Sequence, residues 1–196
     1  VYSSFVQRSY DMLIHDVALS NLHVVLAVDR AGLVGADGET HHGSLDALFL
    51  PEIPNMTVLC PSNYAELRKM LEQALFEIEG PVAVRYPRGG EGAYRGDSGS
   101  APIVCLRPGT DITLVSYGTL INNVLEAAEE LERQGISAQV LKLNCIAPME
   151  KGCLMRSVRA TRRLLVVEDS FGAGCVGQRI AAMMAEVGWG TEKLLL

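Results

Sequence analysis

The 196-residue sequence lacks several features that would place it in a large class of proteins at once. It has no uninterrupted apolar run approaching the ~20 residues of a membrane-spanning helix. No charged-then-apolar leader opens it. There is no basic excess either: 17 Lys and Arg stand against 23 Asp and Glu, a formal charge of −6. An extended nucleic-acid surface needs a basic stripe, so nucleic acid is not an expected partner, and any bound anion must be held by a few placed arginines. The five cysteines, Cys60, Cys105, Cys145, Cys153 and Cys175, show neither the paired spacing of a zinc site nor the density of a disulfide scaffold. Three lie in or beside apolar stretches, as buried reduced thiols do. These absences point to a cytoplasmic protein without a membrane segment.

What is present is an α/β rhythm. With 48% hydrophobic residues the chain can bury one good core or two modest ones. Val6, Tyr10, Leu13, Ile14, Val17 and Ala18 give residues 4–21 helical spacing, with Ser3 or Ser4 as cap. The apolar run over residues 23–28 reads as a strand covered on both faces. Next come a short helix over residues 44–50, stopped by Pro51, a strand over 57–60, a helix from the Asn63/Glu66 capping box to Glu79, and a strand over 81–86. Glycine, proline and serine dominate residues 89–110, which read as a linker. Beyond it strands over 112–116, 137–142 and 164–168 alternate with helices over 120–134, 151–160 and 175–187, and a last strand begins at Lys193. Such alternation implies right-handed crossovers and parallel sheets. Val1 reads as the end of a strand and residues 193–196 as the start of one, so the sequence reads as a piece of a larger protein.

The densest chemistry lies in Asp29-Arg30-Ala31-Gly32-Leu33-Val34-Gly35-Ala36-Asp37-Gly38-Glu39-Thr40-His41-His42-Gly43, directly after an apolar strand. The carboxyl ends of parallel strands are the usual binding place in such sheets, and glycines let a backbone approach a ligand closely. Asp37, His41 and His42 have the donor types of a metal site. Adjacent histidines in a loop do not easily both turn inward to one ion and no further ligand cluster lies nearby, which disfavours a metal; one histidine and one carboxylate suffice for acid/base work near neutral pH, and a solvated polar loop uses the same residues. Arg30 and Arg88, each at a strand end, suit bidentate capture of phosphate or carboxylate. The plain alternative is an ion pair of Arg30 with Asp29, which the alternation of side chains along a strand disfavours. Gly172-Ala173-Gly174-Cys175-Val176-Gly177 matches a dinucleotide fingerprint. It sits too late in the chain for the acidic partner expected ~20 residues further on, and so reads as a tight structural turn.

These residues also carry a resemblance. Tyr2-Ser3-Ser4-Phe5-Val6-Gln7-Arg8-Ser9-Tyr10-Asp11, His15-Asp16-Val17, the loop from Asp29 to Gly43 and Val84-Arg85-Tyr86-Pro87-Arg88-Gly89 together resemble the 1-deoxy-D-xylulose-5-phosphate synthase family of transketolase-like enzymes, in register over essentially the whole chain. The resemblance implies two parallel-sheet α/β domains: residues 1–90 as part of the pyrimidine-binding domain, 91–110 as linker, and 111–196 as part of the transketolase C-terminal domain. It implies a transferase of a cytoplasmic homodimer that uses thiamine diphosphate and Mg2+ to condense pyruvate with D-glyceraldehyde 3-phosphate, supplying isoprenoid, thiamine and pyridoxal synthesis. Tyr2, Phe5 and Arg8 would line the aminopyrimidine pocket, and aromatic faces suit that flat ring. Asp37 and His41 would act at the reacting carbons, and Arg30 and Arg88 would hold the substrate phosphate. His42 takes no catalytic role, because relatives carry histidine or glutamine there. The family's diphosphate and metal ligands and its activating glutamate fall outside this sequence, so no metal ligand is assigned and the chain alone is expected to be inactive. The rival readings are another transketolase-like enzyme, a non-catalytic assembly module, and a nucleotide-binding module through Gly172, Gly174 and Gly177.

Overall fold

The computed structural model describes residues 1–97, 100–188 and 194–195. Two sheets form its frame. The first has the order β1-β3-β2-β7, built from β1 (Val25–Asp29), β2 (Thr57–Leu59), β3 (Val82–Tyr86) and β7 (Cys145–Ala147). The second has the order β4-β6-β5-β8-β9, from β4 (Ile103–Arg107), β5 (Ile112–Tyr117), β6 (Ala138–Leu143), β8 (Leu164–Val167) and β9 (Leu194–Leu195). Parallel pairing dominates both, as the α/β alternation implies, and each sheet adds one antiparallel strand, β7 on β2 and β4 on β6. Both additions escape the sequence pattern. β4 lies inside the stretch read as linker, and β7 is a three-residue strand between β6 and Pro148. Since β7 belongs to the second half of the chain and pairs with the first sheet, the halves share a sheet edge as well as an apolar core.

The first helical segment is less regular than its spacing suggests. α1 (Ser3–Val6) passes through a 3₁₀ turn at Gln7–Ser9 into α2 (Tyr10–Met12) and then π-helical Leu13–Ala18, where Leu19 N–H donates to Ile14 O at 3.0 Å. Neither Ser3 nor Ser4 caps it. Tyr2 is the cap residue, and both serine hydroxyls are buried with no hydrogen-bond partner among the described residues. β1 is not covered on both faces. It lies at the edge of its sheet, flanked only by a short parallel pairing with Val1 and Tyr2, and Ala27 is exposed.

The remaining elements match their sequence signals closely. α3 (Asp46–Phe49) gives way to a 3₁₀ turn at Leu50–Glu52 containing Pro51. α4 (Tyr64–Phe76) is capped by Asn63, whose side chain accepts from Glu66 N–H at 2.9 Å. The Glu66 carboxylate turns to Ser62 N–H at 2.8 Å and to Lys142 Nζ at 2.9 Å, a buried pair joining α4 to β6 across the two halves. α5 (Ile121–Arg133), α6 (Lys151–Thr161) and α7 (Val176–Glu186) pack on the second sheet, α5 closed by Gly135 at φ 79°. The last predicted strand is present at Leu194–Leu195, while Lys193 lies outside the described residues. Among the described residues no helix is long and apolar enough to cross a membrane.

Candidate active site

β1 and β3 are parallel neighbours with Asp29 in register with Tyr86. Their carboxyl ends therefore emerge side by side, and the loop leaving one strand meets the loop leaving the other. Arg30 comes off β1 and Arg88 off β3. Arg30 turns sharply out of the strand at φ 61°, a conformation unfavourable for a side chain with Cβ. Local contacts hold it there. Its N–H donates to Asp29 Oδ1 at 2.7 Å, its Nη1 meets Asp29 Oδ2 at 2.5 Å, its Nε donates to Asp37 Oδ2 at 2.7 Å, and the guanidinium lies 3.8 Å from the centre of the Tyr2 ring. The expectation that Arg30 and Asp29 face opposite ways is thus corrected: strand alternation stops where Arg30 leaves the extended conformation.

Asp37 is clamped from both sides, Oδ2 by Arg30 and Oδ1 by Arg88 Nη1. The hydrogen bond from Arg30, aided by the charge of Arg88, holds the Asp37 carboxyl below the usual carboxylate range, and the same contact raises Arg30. The loop carrying Asp37 is pinched at its neck, where Gly32 N–H donates to Gly43 O at 2.9 Å and Gly43 N–H to Gly32 O at 2.8 Å. Two 3₁₀ turns, Gly35–Asp37 and Glu39–His41, fill it. His42 has a structural role, its Nδ1 accepting from Val34 N–H at 3.0 Å.

The aromatic end of the cluster comes from α1. Tyr2 and Phe5 stack with centroids 5.5 Å apart and planes at 16°. Arg8 lies 5.9 Å from the Phe5 ring centre, and His41 stands edge-on to Phe5 at 5.4 Å and to Tyr2 at 6.4 Å. The other His41 contact is Nδ1 with Thr40 Oγ1 at 2.9 Å. All seven residues singled out in the sequence therefore join one chain of contacts: Arg8, Phe5, His41, Tyr2, Arg30, Asp37 and Arg88. An aromatic shelf with a half-exposed Phe5 fits a flat heterocycle. Among the described residues no group of three or more His, Cys, Asp or Glu side chains gathers as a metal site.

Sequence reasoning missed the supports. Arg85 forms a buried bidentate pair with Asp46 and lies 5.2 Å from the Tyr117 ring centre. Tyr117 Oη donates to Glu168 at 2.8 Å, and burial raises this phenol well above its ordinary range. Glu168 also accepts from Gly177 N–H at 2.8 Å and Val176 N–H at 3.2 Å, so its carboxylate fills the position at the α7 N-terminus that a phosphate would take in a dinucleotide fold. The glycine turn after β8 instead braces the site loop: Phe171 N–H donates to Ser44 O, and Asp169 abuts Gly32. A lone charge inside the apolar run Val82-Ala83-Val84-Arg85 is the signal that would have found Arg85.

Comparison with known proteins agrees with this architecture. Residues 1–90 match the family model of the transketolase pyrimidine-binding domain, and residues 101–193 that of the transketolase C-terminal domain. The chain is 41% identical over 192 residues to the 1-deoxy-D-xylulose-5-phosphate synthase of Chlorobium luteolum, covering 94% of this chain and 30% of that protein. It is 46% identical over 180 residues to the synthase of Chlorobaculum tepidum, covering 89% and 28%, and 42% identical over 195 residues to that of Desulfitobacterium hafniense, covering 96% and 30%. The chain thus spans less than a third of the length of these curated relatives. A solved structure described as a split gene transketolase, inactive beta4 tetramer, superposes with a TM-score of 0.84 at 30% identity, covering 94% of this chain and 61% of that one.

Proposed function

Because the chain belongs to the transketolase family, carrying that family's pyrimidine-binding and C-terminal domains, we propose that it is the ring-binding and acceptor-binding part of a 1-deoxy-D-xylulose-5-phosphate synthase. That transferase joins pyruvate to D-glyceraldehyde 3-phosphate with loss of carbon dioxide. The observation that carries the reading is the single cluster in which an aromatic shelf, a histidine, a clamped carboxylate and two arginines meet at adjacent strand ends. The division into a first domain over residues 1–90 and a second that runs over 111–196 and takes in β4 from the stretch before it belongs to the same proposal. So do a cytoplasmic location and a homodimeric assembly.

Thiamine diphosphate, when bound, supplies the nucleophilic carbon and the electron sink for decarboxylation. Tyr2 and Phe5 hold its flat ring, with Arg8 closing the outer edge of Phe5. The diphosphate and Mg2+ are held by polypeptide beyond these residues, and the chain alone is inactive. His41 uses Nδ1 toward Thr40, which leaves Nε2 as the atom that passes a proton to and from the reacting carbons. Asp37, kept ionised by its arginines, orients the donor. A guanidinium has five N–H donors, and the contacts with Asp29 and Asp37 use only part of those on Arg30 and Arg88; the rest receive the aldehyde's phosphate.

The test joins this chain with a diphosphate-binding half in one enzyme and supplies thiamine diphosphate, Mg2+, pyruvate and glyceraldehyde 3-phosphate. Carbon dioxide and deoxyxylulose phosphate should form. Arg88→Ala should raise the KM for the aldehyde about 10- to 100-fold, as loss of a charge-assisted contact does, with the pyruvate KM little changed. His41→Ala should lower kcat about 100-fold or more. Calorimetry on the chain alone should show no micromolar binding of thiamine diphosphate. A folded, cofactor-loaded enzyme that makes no product would favour the second reading, a non-catalytic assembly module, for which the similarity to an inactive beta4 tetramer speaks.

A further inference from the structure

Residues 151–163 hold five basic side chains and no acidic one. In the rest of the chain 12 basic residues face 23 acidic ones, so a compact cationic patch sits on an acidic body. Lys151 is engaged by Glu186 at 3.3 Å. The other four are arginines, Arg156, Arg159, Arg162 and Arg163, and all are exposed. Elsewhere Arg30, Arg85, Arg88, Arg95, Arg107 and Arg133 each meet a carboxylate. Among the described residues none of the four arginines of the patch does. Arg163 Nη1 donates to the Asp111 carbonyl at 3.3 Å, while the Asp111 carboxylate turns away to accept from Ser137 N–H at 2.7 Å.

Arg156 and Arg159 stand three residues apart on α6 and therefore share a face, opposite the side that buries Leu154 and Val158. Arg162 closes the helix in the left-handed conformation at φ 61°, its N–H donating to Val158 O at 2.8 Å. Glycine is the usual residue in that position, and an arginine stands there instead. One cation would complement the helix dipole; four without counter-charges exceed that need. We propose that this patch binds a small anion carrying several phosphates, an oligophosphate. A guanidinium fork matches phosphate oxygens two at a time, which an ammonium does not, and every unpaired base here is an arginine. The patch spans about two helical turns, and the acidic body around it repels an extended polyanion such as nucleic acid or an anionic membrane. A compact anion avoids that repulsion, and several phosphates are needed to engage four guanidiniums. The patch lies at the amino end of β8, whereas the candidate active site meets the second half through Glu168, just beyond the other end of that strand. It does not depend on the proposed synthase reaction.

The test titrates sodium tripolyphosphate into this chain by calorimetry at about 0.15 M salt. One anion should bind per chain. Arg162→Gly should weaken binding about 10-fold, the effect of losing a charge-assisted contact, while thermal stability holds or rises, because glycine suits the backbone there. A misfolded variant cannot give that combination. Arg159→Ala with Arg162→Gly should weaken binding about 100-fold. Arg159→Lys should weaken it several-fold, since it keeps the charge and loses the fork. Absence of binding at high micromolar anion, or binding indifferent to these variants, would overturn the proposal. So would binding that Arg88→Ala alone abolishes, which would place the anion on the candidate active site. Single-stranded oligo(dT) or phosphatidylglycerol vesicles held more tightly than tripolyphosphate through the same arginines would assign the patch to nucleic acid or to membrane, and would overturn it as well.

Discussion

Arg85 and Asp46 close a bidentate ion pair, Nε to Oδ2 at 2.8 Å and Nη2 to Oδ1 at 3.0 Å, with side chains only 4% and 0% exposed. Asp46 opens α3 three residues after the neck of the site loop, and Arg85 stands three residues before Arg88. The pair therefore ties together the two segments that deliver the candidate site. Through the Tyr117 ring and Glu168 the same line of contacts reaches α7 in the second half.

Removing one partner leaves the other charged, buried and unpaired, which costs about 3–5 kcal/mol. Arg85→Met should lower the unfolding free energy by that amount in urea titrations. Arg85→Met with Asp46→Leu should recover most of it, because replacing both charges removes the desolvation problem. Arg85→Lys should fall between, since an ammonium cannot reproduce the two-pronged geometry. Equal stability of the single and double variants would show that the pair is not coupled.

The sequence made some of this legible and hid the rest for identifiable reasons. Asn63 with Glu66 announces α4, and the apolar runs before Arg30 and Arg88 announce strand ends, because capping and burial are local. β4 and β7 are hidden because each depends on an antiparallel partner far along the chain, and one lies among glycines and prolines where composition argues for a linker. The Arg30–Asp29 contact is hidden because strand alternation fails at a residue with positive φ. Lys142 and Arg85 could have been flagged, since a charge within an apolar strand requires a buried partner. That these partners are Glu66 and Asp46 is a matter of tertiary packing. The roles of Tyr2, Phe5 and Arg8 rest on resemblance alone, and no local pattern states that they share one cluster with His41.

Gly32 offers a test of the brace between the halves. Its φ is 81°, and a Cβ there would overlap Asp169 Oδ2. Gly32→Ala should therefore be penalised twice, by about 1–2 kcal/mol for the left-handed backbone and by displacement of Asp169. Adding Asp169→Ala should return the second part only, read as partial recovery of thermal stability. In the complete enzyme the single variant should also lose turnover, because the loop neck sets the position of Asp37 and His41. Full recovery in the double variant would mean that backbone strain contributes nothing.

Thiol chemistry should separate Cys60 from Cys105. Cys60 is fully buried, and burial pushes its thiol up to about 12, whereas Cys105 is exposed. At pH 8 iodoacetamide should label Cys105 in the native protein and reach Cys60 only after unfolding. The raised value also has a sign for stability. Below the unfolded thiol's pKa of about 8.5 both states keep the proton and nothing is lost. Above it the unfolded state ionises first, so stability falls as pH rises toward 12. Cys60→Ala should flatten that alkaline decline, and an unchanged slope would exclude Cys60 as its source.

Asp37 should behave in the opposite direction. Its carboxyl is lowered, first by the hydrogen bond from Arg30 Nε and then with help from Arg88. An unfolded aspartate takes up its proton near pH 3.9, so in mild acid the unfolded state binds more protons than the folded one. The contribution of Asp37 is therefore complete above that pH and disappears as pH falls through the lower folded value. A carbon-13 titration of the Asp37 carboxyl should show no protonation between pH 7 and 4.5. Arg30→Met should move the titration upward toward the ordinary range, and Arg88→Met should do so less, since Arg88 is the more exposed and supplies the smaller share. A carboxyl that titrates normally in the unaltered protein would mean that the two arginines do not clamp it in solution. The phosphate-binding role proposed for them would then have to stand without Asp37 as the group that sets their positions.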